Sequence, residues 1–108
     1  MNWQQAISDY INYLKIERGL SKNSIDSYQR DVQKLVFFLD DNTISIHPTY
    51  IKSDDIQAFI YHVSKQLNAR SQARLISGLR SFFDYLVFED YRDDNPTDLI
   101  ESPNITRK

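Results

Sequence analysis

Residues 69–88, ARSQARLISGLRSFFDYLVF, run for twenty positions without a proline, and their apolar side chains recur at a single spacing. At about 100° per residue, Leu75, Ile76, Leu79, Phe82, Phe83 and Leu86 fall within about 120° of arc. Arg70, Arg74, Ser77, Gly78 and Ser81 fall on the other side, with Arg80 on the flank. The first set is a core face. A helix of this length cannot bury such a face alone, so the rest of the chain must cover it. The second set combines guanidinium groups, hydroxyls and a residue without a side chain. That mixture suits a phosphate backbone lying along the helix: cations for the phosphates, hydroxyls as short donors, glycine for close approach. On this helix alone, a solvated face carrying two arginines is the simpler account.

The rest of the chain agrees with a helical fold. Two glycines and three prolines in 108 residues leave room for few turns and therefore for few, long elements. The length is that of one domain with a single core. There is no cysteine, hence no disulfide framework and no thiolate metal site, in keeping with a cytoplasmic protein. MNWQQAISDY lacks the charged start and apolar run of a signal peptide, and no apolar run approaches the ~20 residues of a membrane span. The formal net charge of −2 hides a strong asymmetry. From Ile56 to Phe83 there is no Asp or Glu, while Lys65, Arg70, Arg74 and Arg80 all lie there. Asp84, Glu89, Asp90, Asp93, Asp94, Asp98 and Glu101 follow. A basic block is thus succeeded by an acidic tail.

Four helices are expected, over 3–18, 22–40, 54–67 and 69–88. In the first, Trp3, Ile7, Tyr10, Ile11 and Leu14 form a buried stripe, and Gly19 is placed to end it in the left-handed conformation. Ser21 caps the second, whose core stripe is Ile25, Tyr28, Val32, Leu35, Val36 and Leu39. Opposite that stripe lie Asn23, Ser27, Arg30 and Lys34, a polar and net basic line like the outer face of the fourth helix. Phe37 and Phe38 flank this line; they either close a corner of the core with the following loop, the preferred reading, or form a partner patch. His47-Pro48 interrupts helix in 41–53, where Ile44, Ile46, Tyr50 and Ile51 are expected to tuck under the bundle. Ser53 is expected to cap the third helix, with Ile56, Phe59, Ile60, Val63 and Leu67 as its core stripe, and Asn68 or Ser71 to cap the fourth. Asn95-Pro96 and Ser102-Pro103 read as turn or linker signals.

Catalytic chemistry has no obvious seat. His47 and His62 lack partners at metal-ligand spacing, and glycines at 19 and 78 alone cannot build a phosphate loop. Neither G-x-S-x-G nor H-E-x-x-H occurs. The neighbouring acids Asp40-Asp41, Asp54-Asp55 and Asp93-Asp94 are better placed as caps and solvated turns than as acid–base pairs. No cofactor or metal is implied.

Three runs, in order, resemble the phage-integrase or tyrosine-recombinase family, in particular its Xer-like members. LKIERGLSKNSIDSYQRDVQKLVFFL, residues 14–39, is similar to a helix ending in E-R-G/N-L-S followed by S/T and Y-x-x-D-L. ARSQARLISGLRSFFDYL, residues 69–86, resembles R-S-x-A-R-x-L-S-A-L-R-x-F-F, with Gly78 where alanine is usual. YRDDNPTDLIESP, residues 91–103, resembles a D-N-P-x-x-x-I-x-x-P exit.

The resemblance implies an all-α, four-helix SAM-like bundle over residues 1–100, serving as the core-binding half of a clamp on duplex DNA. Residues 101–108 would be a linker toward a catalytic domain absent from this chain. The family's nucleophilic tyrosine and its activating cations belong to that missing part, so the fragment itself is expected to be no enzyme. Carried over position by position, the DNA-facing candidates are Ser21, Lys22, Asn23, Ser24, Ser27 and Arg30 in the second helix, extended by Lys34. In the fourth they are Arg70, Ser71, Gln72, Arg74, Ser77 and Arg80. The helical wheel sets Gln72 nearer the core. The expected partners are double-stranded DNA and, in the intact recombinase, sister protomers; the isolated domain is expected to be monomeric and off the membrane. The competing reading is a helical protein-interaction module that uses Phe37, Phe38 and the acidic tail without binding DNA.

Overall fold

Three of the four long helices start where a side chain offers an acceptor to an otherwise unpaired amide. The computed structural model describes residues 2–100. Asn2 Oδ1 accepts from the Gln5 amide at 2.7 Å and opens α1, Trp3–Ile16. Ser21 Oγ accepts from the Ser24 amide at 3.3 Å and opens α2, Lys22–Asp41. Asn68 Oδ1 accepts from the Ser71 amide at 2.8 Å and opens α4, Ala69–Phe88. In α3, Ser53–Val63, the expected Ser53 cap gives way to a different arrangement. Lys52 holds the cap position, and the Asp55 carboxylate reaches back to its amide at 3.3 Å. A short 3-10 turn, Pro96–Leu99, completes an all-α fold with no strand among the described residues.

The helix ends also have local causes. α1 stops at Ile16, two residues before the expected end, and Gly19 (φ 59°) turns the chain so that the Leu20 amide reaches the Leu14 carbonyl at 3.1 Å. α3 stops at Val63 rather than 67. The Ser64 hydroxyl donates to the Tyr61 carbonyl at 2.6 Å, and the following amides form tight turns to His62 and Val63. Residues 64–67 therefore make a connection, not a last helical turn.

The core is built largely from the expected stripes. Tyr10, Leu14, Val32, Leu35, Ile51, Leu79, Phe82, Phe83 and Leu86 are fully enclosed. Aromatic side chains join α1 to α4. The Tyr10 ring meets Phe82 edge-on at 5.2 Å, and Tyr13 lies against Tyr85 at 4.8 Å. Trp3 stacks on Phe82 at 6.0 Å and donates its indole N–H to the Ile46 carbonyl at 2.8 Å, which ties the 42–52 loop to the bundle. Ile44 and Ile46 tuck in partially and Ile51 completely, but Tyr50 points outward, 70% exposed. The two adjacent phenylalanines divide. Phe38 closes a corner of the core, but against Phe59 and His62 of α3 rather than the following loop, whereas Phe37 stays 64% exposed.

The segment after α4, read from sequence only as turns, is structural. Asp90, at φ 63°, reverses the chain. The Arg92 guanidinium then covers the Phe83 ring at 5.5 Å and donates to the Pro48 carbonyl at 3.0 Å. Asn95 is nearly buried. Its Nδ2 donates to the Arg80 carbonyl and to Asp84 Oδ1, while its Oδ1 accepts from the Thr97 amide and hydroxyl. Thr97 and Ile100 are buried behind it. Residues 101–108, expected as a linker, lie outside the described residues.

Candidate nucleic-acid interface

α2 and α4 meet closely because one of them has no side chain at the contact. Gly78 is buried, not open to an incoming phosphate as its place on the polar arc suggested. Asp31 of α2 fills the space above it: a Cβ at 78 would overlap Asp31 Oδ2 and lie 2.8 Å from Cγ. Asp31 is only 2% exposed and is the one buried ionisable carboxylate among the described residues. Its Oδ1 accepts from Nη2 of Arg74, one turn before Gly78 on the same face of α4. Its Oδ2 is buried without a partner. Burial holds the Asp31 carboxyl above its ordinary value, against the weaker opposing pull of Arg74, Lys34 and Arg30.

Arg74 is thus corrected from a free outer-face cation to one arm of an inter-helix ion pair, although its side chain remains 53% exposed. Arg30 and Lys34, both exposed, lie close enough to the same carboxylate to act on it. One buried acid is thus paired with a cation from α4 and feels the charge of two more on its own helix. This is the strongest juxtaposition the fold makes among the predicted residues.

The other candidates divide by what already holds them. Ser21, Asn23, Arg70, Ser71 and Ser77 are exposed. Lys22 is exposed and pairs with Asp26 across one turn at 3.2 Å, a contact of small net value at a solvated surface. Ser24 and Ser27 are half-buried, and the Ser24 hydroxyl meets Ser21 Oγ at 3.2 Å. Gln72 is turned inward, donating to the Leu67 carbonyl at 3.2 Å across the α3–α4 connection. Arg80 is half-buried and donates to the Thr97 carbonyl at 3.3 Å, so it serves the C-terminal turn. Ser81 forms a 2.9 Å hydrogen bond with the Tyr10 hydroxyl and joins α1 to α4. Beside this bond an open cleft of about 340 Å³ is lined by Tyr13, Arg18, Ser77, Arg80, Ser81 and Asp84, among others. Arg18, exposed, also lines this cleft.

Sequence reasoning missed Asp31. A signal was present: at 100° per residue it sits about 40° from Leu35, on the edge of the core stripe, where an acid needs a partner. Among the described residues no three His, Cys, Asp or Glu side chains are grouped to hold a metal ion, and no helix is long and apolar enough to cross a membrane.

The family model of the phage integrase N-terminal SAM-like domain matches residues 7–90. The chain belongs to this family. The integrase SAM-like domain seen here is 40% identical over 103 residues to tyrosine recombinase XerD of Staphylococcus epidermidis, covering 94% of this chain and 35% of that protein. It is 37% identical over 106 residues to XerD of Staphylococcus aureus, covering 97% of this chain and 36% of that one. The chain thus spans about a third of the length of these relatives. An integrase from mycobacterium phage Brujita shares the fold, with a TM-score of 0.78 at 16% identity, over 94% of this chain and 33% of that one. The helical bundle expected from the three sequence runs is therefore the one observed.

Proposed function

We propose that this SAM-like domain holds duplex DNA for a site-specific tyrosine recombinase, with the outer line of α2 and the N-terminal half of α4 laid against the phosphate backbone. The observation that carries this reading is the Arg74–Asp31 pair that joins α4 to α2, with Arg30 and Lys34 exposed on α2 one residue before and three after that acid, and Asn23, Arg70 and Ser77 exposed on the same two helices. Cations neutralise phosphates, and short hydroxyl and amide groups fix the register of the helix on the duplex. Side chains at the centre of the patch can then reach base edges in the groove. In this reading the strand-cleaving nucleophile and its activating cations lie in another part of the recombinase, residues 101–108 lead toward that part, and sister protomers assemble around the DNA in the cytoplasm. The fragment alone is a monomer that cleaves nothing.

The expected affinity is low and steeply dependent on salt. Arg74 is neutralised by Asp31, and Arg80 faces the C-terminal turn. Lys22, Arg30, Lys34 and Arg70 remain, so about three or four phosphates are neutralised. The slope of log affinity against log salt on B-DNA is then about −3 to −4. The acids from Asp84 onward oppose non-specific attraction and set the affinity weaker than about micromolar. Fluorescence anisotropy of a labelled mixed-sequence duplex with the 108-residue chain tests this. Arg30→Ala and Arg70→Ala should each flatten the slope by about one unit without unfolding the chain. A slope near zero in the parent, or variants that bind like it, would remove the DNA reading and favour the protein-interaction module.

A further inference from the structure

We propose that Asp31 is a positioning residue for DNA contact: it holds the Arg74 guanidinium across the α2–α4 contact so that the N–H groups left over face a backbone phosphate. This rests on the DNA-binding reading above and names how one part of that interface is organised.

The chain of observations starts with the cost of the acid. A carboxylate that is 2% exposed is unfavourable unless it is paired. Asp31 has one partner, Arg74 Nη2, and its second oxygen has none. Gly78 is what admits the carboxylate this close to the backbone of α4, since any Cβ there would occupy its place. Arg74 therefore cannot leave Asp31 for a phosphate without stranding a buried charge. It does not need to. A guanidinium has five N–H donors in a rigid planar fork; one nitrogen satisfies Asp31, and with the side chain 53% exposed the other donors are left for a second acceptor. Arg30 and Lys34 are exposed on α2 one residue before and three residues after the same acid, and their charge acts on it. A phosphate seated there would meet Arg74 in a fixed orientation, with two further cations beside it. Because Asp31 cancels the Arg74 charge, Arg74 contributes directed hydrogen bonds more than counterion release.

This division of labour has a signature that net charge cannot mimic. Asp31→Asn removes a negative charge next to a proposed phosphate site, so simple electrostatics demands tighter DNA binding. Loss of positioning demands the reverse. Binding of the 108-residue chain to a mixed-sequence 30-base-pair duplex is measured at about 50 mM salt, at a temperature where circular dichroism shows each variant folded. Asp31→Asn is expected to bind about tenfold more weakly than the parent despite its more positive charge. Arg74→Lys is the second variant: an ammonium can pair with Asp31 and keep the fold, but lacks the fork, so it should weaken binding to a similar degree. If Asp31→Asn does not fold, Arg74→Lys decides alone.

Equal or tighter binding by folded Asp31→Asn, or parental binding by Arg74→Lys, overturns the proposal. Arg30→Ala and Arg70→Ala separate the two levels. If they weaken binding while the Asp31 and Arg74 variants do not, only the positioning role fails. If they too bind like the parent, the interface reading falls and takes this proposal with it.

Discussion

Phe82→Ala is expected to lower the stability of the domain by about 3–5 kcal/mol, the usual range for removing a fully enclosed phenylalanine. Phe82 has no exposed surface and sits at the junction of three rings: Trp3 at 6.0 Å, Tyr10 at 5.2 Å and Phe83 at 5.0 Å. Trp3 also carries the hydrogen bond to the 42–52 loop. Truncation therefore opens a cavity and loosens both the α1–α4 seam and that loop. Urea unfolding followed by circular dichroism measures the change. A loss below about 1 kcal/mol would mean that the seam is not the centre of the core. Because the total stability of a domain this size is about 5–15 kcal/mol, the variant is expected to be close to its threshold at physiological temperature.

Arg74→Ala is the second large expected effect, and it reverses what its outer-face position suggests. An exposed arginine on a solvated arc is ordinarily replaceable within about ±0.5 kcal/mol. Here its loss leaves Asp31 buried with neither oxygen paired. The expected cost at neutral pH is about 1–3 kcal/mol, below the roughly 3–5 kcal/mol of breaking a fully buried pair because the Arg74 side is half open to water. The sign of the pH dependence follows from Asp31. Its carboxyl is held above its unfolded value of 3.8 by burial. Its contribution to stability is fully present below that unfolded value and declines as pH rises through the raised folded value. Removing Arg74 deletes a pull in the opposite direction, so the folded value rises further and the declining window widens upward. The gap between parent and variant should thus be small near pH 4 and grow toward neutrality, as read from unfolding midpoints across pH. A gap independent of pH would show that Arg74 stabilises by packing alone.

What the sequence revealed, and what it hid, has a common physical reason. Long apolar stripes report the core because burial of a whole face is a sum over many residues. That is why α4 is found at 69–88 as expected, and α2 within a residue. Caps follow where the side chain bonds its own local backbone, as with Ser21 and Asn68. Asp31, Arg92 and Asn95 are different. Each is a polar residue whose partner lies on another element: Arg74, the Pro48 carbonyl and the Arg80 carbonyl, respectively. Such pairings are decided by where helices cross, which periodicity does not encode. The candidate interface was legible in the same uneven way. The wheel correctly separated Gln72 from its neighbours, but it could not show that Gly78 on the polar arc is covered by a side chain from α2.

The Asn95 tether has a mechanical consequence. Without it, tension on the chain beyond residue 100 would enter α4 at Phe88 and peel the helix from its last turn, one hydrogen bond at a time. Instead the chain doubles back, and Asn95 grips the carbonyl of Arg80, about two turns inside the helix, and the carboxylate of Asp84, about one turn inside it. Thr97 and Ile100 are sealed beneath the same grip. A load arriving from that side is therefore shared by several bonds at once and delivered to the middle of the helix that carries Arg74 and Gly78. α4 behaves as a lever arm with its handle fixed near its centre, so that a tug on the C-terminal side swings the bundle as one piece before it frays any part of it.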